Sequence, residues 1–170
     1  MPNNYPIKQN PMIHLSKKEN EEWAQAIGGL FLNFGLVEWI SLRFIEMLRG
    51  MPVSNVAMRK VLAERIKTIK KLVEDSPWAD AEKTSAIKLW KEVEDHIEMR
   101  NIVAHNPFVF GKNKDGKPGN GILNVKQLRG VGPYNPVLIQ ANDIFAVATA
   151  IGALAVSLNA FVKPREINAP

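Results

Sequence analysis

Glu98-Met99-Arg100-Asn101-Ile102-Val103-Ala104-His105-Asn106-Pro107 closes a segment in which Ile87, Trp90, Val93 and Ile97 recur at three- and four-residue intervals. That period belongs to an amphipathic helix with one buried stripe. The stripe changes character at its end. At about 100° per residue, Asn101 falls roughly 40° to one side of Ile97, Arg100 about 60° to the other and His105 about 80° round. An amide, a guanidinium and an imidazole thus straddle a face that buries apolar groups one turn earlier. Such groups cost several kcal/mol there unless they are paired, face a wet cleft or meet a partner surface. Asn106-Pro107 ends the helix, because proline disfavours helical backbone in the residue before it.

An Arg, a polar residue, three further residues and a His, set late in an amphipathic helix of an all-α chain, resemble the signature of the HEPN superfamily; Arg100-Asn101-x-x-x-His105 matches the spacing. The resemblance implies a small helical bundle whose homodimer brings two such motifs together. Many members are metal-independent endoribonucleases and others are inactive binding modules. By that resemblance His105 is a general acid or base at a ribose 2′-hydroxyl or its leaving oxygen. Arg100 stabilises charge developing on phosphate, and Asn101 holds the imidazole or a phosphate oxygen. It also implies RNA as substrate, no cofactor, and an antitoxin protein as a partner in toxin-like members. Two departures stand out. Pro107 occupies the place where toxins of this type often carry a Tyr, and a hairpin with a long basic loop is not part of the minimal bundle.

Composition agrees with one globular domain: 170 residues, 46% hydrophobic and 23% charged. There is no cysteine, which removes disulfides, thiol catalysis and Cys-based zinc sites and suits a reducing cytoplasm. The 22 Lys and Arg exceed the 17 Asp and Glu, giving +5. Such an excess fits a polyanionic partner such as nucleic acid, and equally a merely basic surface. No metal site is expected, since His14, His96 and His105 are the only imidazoles and no pair has helical ligand spacing.

In chain order, residues 1–15 read as an extended arm punctuated by Pro2, Pro6 and Pro11, without a secretory signal. A single helical domain is expected over 16–163. Ser16-x-x-Glu19 has the form of a capping box, and apolar residues then run from Trp23 to Leu48 before Gly50 and Pro52. Gly28-Gly29 and Gly35 interrupt that run; they kink it, split it or let another backbone approach. Glu38 is either an exposed or locally paired residue, for instance with Arg43, or an acid facing the Arg/His motif across the bundle.

A second helix is expected from Ser54 or Asn55 to Asp75, with Arg59, Lys60, Arg65, Lys67, Lys70 and Lys71 on a basic solvent side. A third opens at Trp78, Asp80 and Glu82 and carries the motif. Phe108-Val109-Phe110 and Ile122-Leu123-Asn124-Val125 read as a β-hairpin inserted over about 107–127, packed on the bundle through its aromatics. Lys112, Lys114 and Lys117 at its tip are candidates for gripping RNA, against a plain solubilising loop. The last helix, Ile144 to Val162, is long enough to span a membrane but diluted by Ala, Thr149, Gly152, Ser157 and Asn159. It is read as a central or oligomer-buried helix with no membrane partner, starting near Asp143 and ending at Pro164, before a 164–170 tail. The expected fold is therefore an all-α bundle of three to four main helices with the hairpin before the last.

Overall fold

The computed structural model describes residues 15–112, 118–123 and 138–166. Helix α1 runs unbroken from Lys17 to Arg49, 33 residues, about 50 Å at 1.5 Å per residue. Its start is the capping box: Ser16 Oγ accepts from the Glu19 amide at 3.2 Å, and the Glu19 carboxylate accepts from the Ser16 amide at 2.8 Å. Its end is Gly50, left-handed with φ 66°. The internal glycines neither kink nor split it. Gly29 takes the close-approach role, since a Cβ there would stand 3.7 Å from Ala148 Cβ.

The single helix expected over 55–75 is two: α2, Asn55–Arg59, and α3, Leu62–Glu74. Val61 between them is extended, with φ −66° and ψ 156°. Restarting the helix at Leu62 turns Leu62, Arg65, Ile66, Ile69 and Val73 inward, all of them buried. Packing of that stripe outweighs the helical hydrogen bonds given up at the break. Helix α4, Asp80–His105, carries the motif at its end as expected. Phe44 lies against Trp90, and Glu38 against Arg100, so α4 runs antiparallel to α1.

Three strands follow: β1, Phe108–Lys112; β2, Pro118–Leu123; and β3, Leu138–Ile139. They form an antiparallel sheet in that order, with Phe108 opposite Ile122 and Ile122 opposite Ile139. The expected hairpin is present, with its second strand starting earlier, at Pro118, and Asn124 and Val125 lying outside the described residues; β3 is an addition too short for alternation to reveal. The aromatic anchor is Phe108, whose ring stands edge-on to Trp23 at 4.7 Å. Gly121 has a steric reason: a Cβ there would meet Leu138 Cβ at 2.7 Å and the Ile139 carbonyl at 2.8 Å.

Helix α5, Ala141–Glu166, starts two residues before Asp143 and continues through Pro164. The Gln140 amide donates to the Asp143 carboxylate at 3.1 Å, which ties down the helix start. Asn33 donates to the Ala148 carbonyl at 2.8 Å, and Phe44 faces Phe161, so α5 runs parallel to α1. Small residues serve this contact: Ala148 and Ala155 are buried, and a Cβ on Gly152 would stand 2.9 Å from the Asn33 amide nitrogen. However, α5 is not buried all round. Phe145 and Val156 are 55% and 72% exposed. By length and composition alone, α1 and the 141–162 part of α5 are apolar enough to cross a membrane, with mean hydropathies of 1.2 and 2.0. Their inner faces fill the core with Ile66, Ile69, Trp90 and Val93. The architecture is a helical bundle with a small β insertion before its last helix.

Candidate functional site

Glu38 sits on α1 one turn after Phe34, on the face that otherwise supplies Ile45 and Ser41 to the interior. Two cations answer it. Arg65 of α3 brings Nη2 to 3.6 Å from Glu38 Oε2, and Arg100 of α4 brings Nη2 to 3.9 Å from Oε1. The two guanidiniums differ in setting. Arg65 is only 5% exposed, donates from Nη1 to the Glu38 carbonyl at 3.3 Å, and has no partner at Nε. Burial pulls its guanidinium below the ordinary value, and Glu38 opposes that pull. Arg100 is half-buried. Its Nη1 donates to Asn101 Oδ1 at 3.2 Å, and its guanidinium lies over the Phe31 ring at 5.8 Å.

The Glu38 carbonyl also accepts from Ser41 Oγ at 2.6 Å. One carboxylate therefore stands between two cations from two other helices. Beside them opens a cleft of about 420 Å³, lined by Glu38, Arg65, Arg100 and Asn101 together with Phe34, Ile97 and residues 58–63.

Of the residues singled out in the sequence, Arg100, Asn101 and Glu38 converge here. Glu38 takes the reading in which it faces the motif; Arg43 is paired with Glu46 instead. His105 does not join them. It is the last residue of α4, exposed, and its side chain makes no hydrogen bond or ion pair among the described residues. Five residues of helix separate it from Arg100, about 140° of rotation and 7.5 Å of rise. Asn101 lies one turn before it, nearer the same face. Lys112 ends β1 opposite Pro118, and Lys114 and Lys117 lie outside the described residues.

Arg65 is the residue that sequence reasoning misplaced. The basic run places it on the solvent side, but it stands three residues after Leu62 and four before Ile69, on the apolar stripe itself. Lys70 is also withdrawn from solvent, donating to Glu94 at 2.7 Å. Arg59, Lys60, Lys67 and Lys71 remain exposed. Among the described residues, no group of three or more His, Asp or Glu side chains is placed to hold a metal ion. No family model matches the chain, and no curated protein or solved structure matches it at a significant level.

Proposed function

We propose that this protein is a HEPN-type, metal-independent endoribonuclease that acts as a homodimer in the cytoplasm and needs no cofactor. The observation that carries the reading is the split of the motif: Arg100 and Asn101 line a cationic cleft, while His105 is exposed at the helix end on another face. Arg100 and its own His105 lie about 140° apart round α4, and two chains about a two-fold axis would set one chain's arginine beside the other's histidine across the interface. An apolar face suited to that contact borders the motif. Phe31, beneath Arg100, continues along α1 into Leu32, Leu36 and Trp39, which are 77%, 44% and 52% exposed.

In this mechanism one His105 removes the ribose 2′-hydroxyl proton as that oxygen attacks phosphorus. The bond to the 5′-oxygen breaks, and the leaving oxygen takes a proton from the partner's His105. The products are a 2′,3′-cyclic phosphate and a 5′-hydroxyl. Arg100 stabilises the charge growing on the phosphate oxygens, a task its planar fork suits. Glu38 is a positioning residue for Arg100, and an antitoxin protein is the natural partner if the nuclease is toxic to its own cell.

The alternative is a non-catalytic module of the same type that binds RNA, nucleotide or protein. Its specific support is that nothing among the described residues orients His105 as a base needs to be oriented. Incubation of a mixed RNA pool in EDTA with wild type and His105→Ala, both checked for folding and dimerisation, tests the two. Cleavage by wild type that His105→Ala lacks supports the nuclease. Intact RNA with both proteins, together with Arg100-dependent binding, moves the assignment to the module.

A further inference from the structure

The buried positions of α1 advance by alternate steps of three and four: Trp23, Ala26 and Leu30, then past Asn33 to Val37, Ile40 and Phe44. Two residues on from each, about 200° round the helix, runs a second series with the same steps: Gln25, Gly28, Leu32, Gly35, Trp39 and Leu42. A repeat of threes and fours is the spacing of a helix–helix seam. The inner series meets the rest of the bundle. The outer one is left open among the described residues, since Leu32 is 77% exposed and Trp39 52%.

The glycines of the outer series have no reason within their own chain. A Cβ on Gly28 or on Gly35 would find nothing within 4 Å, yet each glycine costs the helix about 1 kcal/mol against alanine. Large and small residues alternate in the order Gly28, Leu32, Gly35, Trp39. An antiparallel copy of α1, related by a two-fold axis between Leu32 and Gly35, sets Leu32 against Gly35 of the second copy and Trp39 against its Gly28. Each glycine then receives a large side chain. A parallel copy instead sets tryptophan against tryptophan and glycine against glycine.

We infer that this outer face of α1 is an antiparallel dimer contact whose occupant is a second copy of this chain. Its size agrees. Phe31 and Leu36 flank the seam at 36% and 44% exposed, and with Leu32 and Trp39 they offer on the order of 400 Å² of apolar surface per chain. Two such faces with their polar rims reach the ~1,000 Å² that a specific interface needs. The seam is about 26 Å long and ends at Glu21 and Glu46, the next positions of the series. A lipid surface is served by large apolar side chains at every position, and the two glycines do not serve it. The contact specifies the homodimer proposed above and rests on that reading only for its link to cleavage.

Sedimentation equilibrium of the full chain over about 1–100 µM is expected to show a reversible dimer. Leu32→Glu, at an exposed position, should keep the wild-type circular dichroism spectrum and associate about a hundredfold or more weakly. The chain has no cysteine, so introduced thiols report the register. Gln25→Cys mixed with Leu42→Cys should give a mixed disulfide on mild oxidation. Neither variant alone should link, because each thiol lies about 25 Å along the axis from its own copy. A wild type that stays monomeric throughout the range, a dimer that Leu32→Glu leaves intact, or self-linking by either single thiol overturns the contact. So does a dimer broken only by Val156→Glu, a change at a 72% exposed position on α5. The two proposals fail separately. A dimer lost in Leu32→Glu, with RNA left intact by both proteins, keeps the contact and ends the nuclease. Cleavage by a dimer indifferent to Leu32→Glu keeps the nuclease and ends the contact.

Discussion

Phe44 and Glu38 lie six residues apart on α1, roughly 9 Å along its axis, and both face α4, yet the two levels are built by different chemistry. At Phe44 the space is closed by rings: Trp90 edge-on at 5.4 Å, Trp78 at 6.1 Å and Phe161 at 6.2 Å. At Glu38 it is held by one carboxylate between two guanidiniums, with a cleft beside them. Helices α1 and α4 meet at both levels, joined by α5 at the first and by α3 at the second. At the second, one carboxylate and two guanidiniums leave a cleft that rings close at the first, and Glu38 and Arg100 stay partly exposed. Hydrophobic side chains of similar volume would hold the helices at least as well, so the charges at Glu38 stand where stability alone would not put them. The aromatic level accepts one defect of its own, the Trp90 Nε1, buried without a partner.

The largest effect should come from the aromatic level. Trp90→Ala removes a fully buried ring and is expected to cost about 3–5 kcal/mol, read as a lower midpoint in chemical denaturation. A cost below about 1 kcal/mol would mean that the rings are not what holds this level together.

At the charged level, Glu38→Gln leaves the Arg65 guanidinium buried without its counter-charge, at about 1–3 kcal/mol. Adding Arg65→Met should recover most of that loss, because it is the unpaired ion that is costly. If the double variant is no more stable than Glu38→Gln, the comparison between the two levels fails.

A smaller change tests the α1–α5 seam. Gly152→Ala puts a methyl 2.9 Å from the Asn33 amide nitrogen. The flexible side chain can swing aside, but it then gives up its 2.8 Å bond to Ala148, about 0.5–1.5 kcal/mol in thermal or chemical unfolding.

The smallest effect lies on the outer face. The hydrogen bond from Lys70, the largest influence, holds the Glu94 carboxylate below its ordinary value of 4.5. A depressed carboxylate stabilises the fold above its unfolded value and loses that stabilisation as pH falls through the folded one. The stability gap between wild type and Glu94→Gln, under about 1 kcal/mol for a partly exposed pair, should therefore be present at neutral pH. It should close as the buffer is taken well below pH 4.5. A gap independent of pH would assign the effect to packing.

The elements that local chemistry specifies were legible in the sequence. Ser16 and Glu19 announce the start of α1, Gly50 its end, and Pro107 the end of α4, because each acts on backbone groups within one turn of itself. The charged level was legible in half. Glu38 and Arg100 each sit among apolar neighbours and so betray themselves. Arg65 does the same, but five other basic residues nearby hid its place on the stripe, and only the break at Val61 sets that stripe facing Glu38. The break itself leaves no Gly or Pro to read, since it is imposed by packing on α1 and α4. Strand β3 exists only because β2 offers it a ladder, a partner that two residues cannot signal.

The parallel pairing of α1 with α5 has a consequence for how the chain is made. The bond from Asn33 to Ala148 spans 115 residues. At translation rates of about 5–20 residues per second, the first helix waits roughly 6–23 s for the partner that covers Gly29 and Asn33. During that interval its uncharged segment from Trp23 to Val37 has no α5 to shield it on the ribosome. A chaperone that recognises apolar helices, or a neighbouring nascent chain, meets that surface before the protein's own C-terminal segment does.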